Sequence, residues 1–395
     1  MTAHAPSAPD PGAIPTTARS LAPDLARGGM LLLIALANVK AFLYDRPFGF
    51  RMYPSELSVP DQAVTVVQML LVDGRAYPLF ALLFGYGIMQ LAWRRAAAGT
   101  PLAAVTSRVR RRGLMLVLIG AAHGVLLFPG DIAGAYGLVA VVLAGVLVAR
   151  SDTTLLVVAG IGIALATISG ASFGLPDPTG STAVAPSMTE ADPAAAAAAR
   201  LLDWLTMGLP QALAVFGAVA LGAWAGRRRF LDEPERHRPL LVKVAVAGIA
   251  TAVVGGLPLA LMAAQLWTPP TAVGLLAGVL HTLAGVAGGL GYAALFGLLA
   301  IRMQGRGGPG PVAGAVVASG QRSLSSYIAQ SVAFVALLPA WTLGLGAEAS
   351  IWQAALIGLG AWVVIVLVAA GSARGGYRGP AEVLLRRLTY GRRPA

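Results

Sequence analysis

The chain of 395 residues contains no cysteine. Disulfides, thiolate zinc sites and cysteine nucleophiles are thereby excluded. Charge is scarce too: Asp, Glu, Lys and Arg make up 12% of the residues, where a soluble domain carries about a quarter. Four histidines at separated positions give no expectation of a metal cage. Alternating strands of about ten residues, the mark of a membrane barrel, are missing. Residues 1–18 lack the basic-then-apolar layout of a signal peptide, and 1–19, rich in Pro, Ala and Thr, read as a disordered cytoplasmic tail.

What is present is apolar. Hydrophobic residues make up 57% of the chain, in blocks such as Leu114 to Phe128, Val244 to Met262 and Ile351 to Ala370. Each is near the roughly 20 residues a helix needs to cross hydrocarbon. A helix satisfies its own backbone there. The expected fold is an all-α polytopic transmembrane bundle of about ten spans, at 28–45, 62–93, 113–129, 131–149, 153–173, 204–226, 241–264, 272–300, 315–342 and 350–372. The second and ninth are too long for one straight span, and Asp73, Gly74 and Pro78 in one and Gly320 to Arg322 in the other mark expected breaks.

The net charge of +12 does not point to nucleic acid, because of where the arginines lie. They cluster between apolar blocks, at 94–112, 227–240, 301–314 and 373–395, as cytoplasmic loops do. The expectation is a bacterial cell membrane protein with both termini cytoplasmic. Residues 20–372 form one bundle domain, 174–203 its largest external loop with room for a surface helix at 194–203, and 373–395 a basic tail. Loop 46–61, carrying Arg46 and Arg51 on the external side, is the exception. Gly285, Gly289 and Gly291 form a small-residue face for close helix packing.

Ionisable groups inside hydrocarbon are candidate functional sites. Asn38 lies eleven residues past Arg27, and His123 eleven past Arg112, so both sit about 16 Å deep. An amide and an imidazole meeting near the midplane suggest His123 as general base and Asn38 as a donor to a substrate carbonyl. Asp131, after Pro129-Gly130, either caps the fourth helix or joins the site, near Tyr136. Arg75, near the outer surface, pairs with Asp73 or Asp131 or holds an anionic substrate. Tyr327, Gln330 and Ser331, spaced i, i+3, i+4, project together into the bundle. Arg27, Arg112 and Arg322 each open a span, as topology anchors or together as a clamp for the phosphates of an acyl-CoA. His281 stands alone on an apolar helix.

Five stretches in order then carry a resemblance: Ser20 to Gly28 leading to Asn38, Tyr77 to Gly87, Ile119 to Tyr136, Gly320 to Ser331 and Gly379 to Arg392. The chain resembles the YeiB-like family of bacterial membrane proteins, whose domain is of unknown function. That family is in turn similar to the transmembrane acyltransferase superfamily, with heparan-α-glucosaminide N-acetyltransferase and acyltransferase family 3. The resemblance implies a first-span arginine followed after ten residues by a catalytic His or Asn, a pattern that Arg27 and Asn38 match, with Asp24 in the same opening motif. The chain departs from it at Ser325-Ser326-Tyr327, where the family has Thr-Asn-Tyr, and at Val383-Leu384, where it has a Trp-containing pair. The acetyltransferase's histidine shortly beyond its asparagine has no counterpart in 39–55, which leaves His123 as the substitute base. The expected activity is acyl transfer from cytosolic acyl-CoA to a lipid, glycan or small molecule, with membrane lipid as the surrounding partner. A transporter or exporter without covalent chemistry is the alternative.

Overall fold

The computed structural model describes residues 20–177 and 180–391, and every regular element among them is helical. The expected tail at 1–19 lies outside the described residues. The helices are α1 Leu21–Val39, α2 Val59–Leu71, α3 Ala76–Ala97, α4 Leu102–Leu126, α5 Ala133–Ala149, α6 Asp152–Ser169, α7 Pro193–Asp203, α8 Gln211–Arg227, α9 Arg238–Ala263, α10 Thr271–Gln304, α11 Pro311–Gln321, α12 Ser323–Leu337, α13 Ile351–Arg374 and α14 Pro380–Tyr390.

Local chemistry sets many of the ends. Ser58 and Ser151 accept from the N–H groups of Asp61 and Thr154 at the starts of α2 and α6, Asp192 does the same for α7, and Ser350 with Gln353 forms a capping box on α13. The expected second span is broken at 72–75, where Gly74 adopts φ +77°, a conformation a Cβ would strain. The ninth is broken at Arg322, between α11 and α12. The first helix starts at Leu21, seven residues before the expected 28, because Pro23 and Asp24 suit a first turn.

Six segments are long and apolar enough to cross a membrane: Leu21–Phe42, Val59–Ala97, Asp152–Gly174, Arg238–Ala263, Thr271–Gln304 and Ile351–Arg374. The pair Pro193–Gly208 and Gln211–Arg227, bent by 48°, makes a seventh when counted as one span. The chain is thus a multi-span membrane protein. The other expected spans fall short of this measure for physical reasons: α5 has 17 residues and α12 has 15, and α4 carries Arg108, Arg110, Arg111 and Arg112 in its first half.

Helices approach closely where glycine removes the side chain. A Cβ on Gly85 or Gly222 would lie 1.9 or 2.0 Å from a carbonyl oxygen across the α3–α8 crossing. Gly285, Gly289 and Gly291 seat α10 against Gly74, Leu79 and Ile249. Contacts between distant segments sort into two ends. At the basic end, Ser20 donates to the Leu231 carbonyl, Arg227 and Arg228 bind Asp152, Tyr86 donates to Asp232, and Arg322 binds the Tyr377 carbonyl. At the other end, Arg46 donates to the carbonyls of Gly346, Ala347 and Ala349, Gln265 to that of Pro54, and Asp61 accepts from Trp352 N–H.

The tail expected after 373 contains α14. Leu385 packs with Leu116 and Ile119 of α4, while Glu382 accepts from the N–H groups of Leu324 and Ser325 and from the Ser325 hydroxyl. A carboxylate from the C-terminal helix therefore caps α12, at the positive end of its dipole. Two of the five family-like stretches, 320–331 and 379–391, meet here.

Candidate functional site

His123 of α4 is buried and has both ring nitrogens engaged. Nδ1 is 2.8 Å from Asp131 Oδ1 and Nε2 is 2.8 Å from Ser331 Oγ of α12. Asp131 is fully buried. Its oxygens accept from Ala133 N–H at 3.2 Å and Gly134 N–H at 2.6 Å, so it caps α5 and touches His123 at once. Because every group around Asp131 donates to it, the imidazole donates through Nδ1–H. Nε2 is then the acceptor for the Ser331 hydroxyl. Tyr327 stacks obliquely on the imidazole with ring centroids 4.8 Å apart, donates to Asp131 at 3.4 Å and accepts from Ile132 N–H at 3.2 Å.

The fold makes room for this group with small residues. A Cβ on Gly120 would lie 2.4 Å from Asp131 Oδ2, and one on Gly124 would lie 2.3 Å from Trp204 Cδ1. Trp204, in a single π-helical turn at Trp204–Gly208, lays its ring over Gly124 and Gly134. Its indole N–H has no partner, and neither has the Gln330 side-chain oxygen on α12. The Asp–His–Ser relay is thus bonded within itself, while the Trp204 N–H beside Gly124 and the Gln330 oxygen one residue before Ser331 are unpaired. An imidazole held by a carboxylate on one side and a hydroxyl on the other can deprotonate that hydroxyl.

Not every expected site residue joins it. Asn38 is half-buried on α1, and its side chain is not among the partners of His123. Depth alone misleads here, since α1 packs on α3, α10, α11, α12 and α13, whereas α4 packs on α3, α5, α7 and α14. Gln330 donates to the Leu31 carbonyl at 2.8 Å and so ties α12 to α1. Tyr136 faces α3, stacked on Phe80 and Phe84 and bonded to the Tyr77 carbonyl. Of the three arginines expected to clamp phosphates, Arg27 pairs with Asp24 at 3.0 Å, Arg322 is bound to the carbonyls of Ala318 and Tyr377, and Arg112 is exposed on α4.

A second buried polar group surrounds the break at 72–75. Lys40 Nζ lies 2.5 Å from Asp73 Oδ2 and 3.8 Å from the Tyr53 ring centroid. The Tyr53 hydroxyl donates to Asp73 at 2.6 Å and lies 3.0 Å from Gln68 Oε1. Arg75 reaches the backbone carbonyls of Asp73 and Ala252 and lies 3.1 Å from His281 Nδ1, leaving the Asp73 carboxylate to Lys40 and Tyr53. His281, isolated in sequence, is therefore packed against a guanidinium. Ser331 stood in the sequence beside Tyr327 and Gln330 without a role at His123, and Tyr53 and Gln68 were not singled out. For Ser331 a signal existed in its helical spacing from Tyr327; for the other two there was none.

These features define a multi-span integral membrane protein with two buried polar centres. Residues 225–392 match the family described as "Protein of unknown function (DUF418)", which supports the resemblance to that family over the region from the end of α8 through α14. No curated protein matches the chain.

Proposed function

We propose that the protein is a membrane acyltransferase of the bacterial cell membrane in which Ser331 is the nucleophile, His123 the base and Asp131 the residue that orients it. The observation behind this reading is His123 bridging Asp131 and Ser331 at 2.8 Å on each side. In the first half-reaction His123 Nε2 takes the Ser331 proton while Oγ attacks the carbonyl of an acyl-CoA. The C–S bond breaks and His123 returns the proton to the leaving thiolate. In the second, His123 deprotonates an acceptor hydroxyl of a lipid, glycan or small molecule. That oxygen attacks the Ser331 ester, and Ser331 leaves with the proton. The chain crosses the bilayer ten times with both termini cytoplasmic, a topology the arginines gathered at one end support.

The test is release of free CoA from acetyl-CoA and longer acyl-CoAs, read with a thiol reagent. A protein with no cysteine contributes no background. Ser331→Ala and His123→Ala are expected to lower the rate by about a thousandfold or more, and mass spectrometry should place the acyl group on Ser331. Release undiminished in both variants would overturn the mechanism.

One observation favours transport as a second reading. The buried Lys40–Asp73 pair joins the end of α1 to a helix break, and broken spans bearing charge are where transporters hold substrates. Substrate movement in proteoliposomes with no acylated product would select it.

A further inference from the structure

At the basic end, α4 and α5 enclose an open cleft of about 560 Å³ lined by Thr106, Ser107, Arg110, Val142, Val146 and Arg150, among others. Arg110 and Arg150 are exposed, and neither has an acidic partner among the described residues. Arg110 reaches over Gly145, where a Cβ would come 4.0 Å from Nη2. The absent side chain leaves the floor of the cleft open.

Below the arginines the same faces turn apolar. On α4, Leu114 and Leu118 follow Arg110 at i+4 and i+8, and on α5, Val142 precedes Arg150 by eight residues. These three side chains are 49%, 55% and 64% exposed. In a membrane protein such a face meets acyl chains. The cleft does not serve the His123 site, because His123 lies thirteen positions after Arg110 on one helix, which turns their side chains about 140° apart.

From this we infer a binding site for an anionic phospholipid of the leaflet at the basic end. Its phosphate lies between Arg110 and Arg150, with Ser107 as a hydroxyl donor, and one acyl chain runs down Leu114, Leu118 and Val142. Guanidinium pairs suit phosphate, and basic pockets between helices at this level bind anionic headgroups. The chemistry shared with soluble phosphates is the phosphate group, but only a lipid also covers the leucine and valine stripe.

The test is native mass spectrometry of the full-length protein in detergent, titrated in separate arms with phosphatidylglycerol, phosphatidylcholine, inorganic phosphate and CoA. Saturable retention of phosphatidylglycerol is expected. It should weaken about tenfold in the Arg110→Gln/Arg150→Gln variant, with no change for phosphatidylcholine. Gly145→Leu, which fills the floor and keeps both charges, should weaken it too. Equal retention by both variants would overturn the site, and so would inorganic phosphate or CoA displacing the lipid at matched concentration.

Discussion

Lys40 and Asp73 illustrate how a buried pair constrains single residues. With Asp73 held at 2.5 Å and both side chains buried, Lys40→Met strands a carboxylate and is expected to destabilise the protein by about 3 to 5 kcal/mol. Converting both, in Lys40→Met/Asp73→Leu, should recover most of that loss. Thermal unfolding of the two variants in the same detergent decides it, and a double variant no more stable than the single one would mean that Tyr53, Gln68 or Arg75 depends on the carboxylate. At this scale residue counting offers an expected depth but no neighbours. Counting from Arg27 and Arg112 gives Asn38 and His123 the same expected depth because the helical rise is constant, yet which faces of which helices meet depends on packing between elements far apart in the chain. Asp131 was legible as a cap because capping is local. Its bond to His123 crosses only a tight turn. Ser331 is 208 residues from His123, a separation that spacing along one helix does not bridge.

At the scale of elements, the glycine crossings and the cap on α12 make distinct predictions. Gly222→Val should prevent accumulation of folded protein, because the added atoms meet the Leu82 carbonyl and α3 and α8 must part. Gly360→Val and Gly371→Val, where a Cβ meets nothing within 4 Å, should accumulate normally; size-exclusion profiles of the three compare them directly. Glu382→Ala removes the acceptor of two N–H groups and one hydroxyl at α12. It should cost about 1 to 2 kcal/mol, seen as a lower melting temperature. The two breaks were legible because Gly74, Pro78 and Gly320 interrupt apolar runs. The docking of α14 was not, since a short helix with arginines beside leucines reads as a solvated tail until the apolar edge of α4, at Leu116 and Ile119, is known.

For the molecule as a whole, the absence of cysteine makes topology directly measurable. Single cysteines at Ala98 and Arg306 should react with an impermeant thiol reagent only from the cytoplasm, and those at Thr189 and Leu343 only from outside. Labelling of Leu343→Cys from the cytoplasm would remove a crossing from the ten. The expected orientation rests on the positive-inside pattern, to which loop 46–61 is the exception. The fold accounts for that exception: Arg46 is held by carbonyls of Tyr44, Gly346, Ala347 and Ala349, and Arg51 lies over the Phe173 ring. Both act as ties between segments rather than as free loop charges.

The ties made by Arg46 have a further meaning when the chain is followed in time. During synthesis its acceptors at 346–349 emerge about 300 residues after Arg46 itself, so the first hairpin leaves the ribosome with a cation held only by the nearby Tyr44 carbonyl. The N-terminal segment therefore completes its own wrapping only when the C-terminal part arrives. The last third of the chain acts as the closing piece of the first, since a product ending before residue 346 lacks the distant acceptors of Arg46.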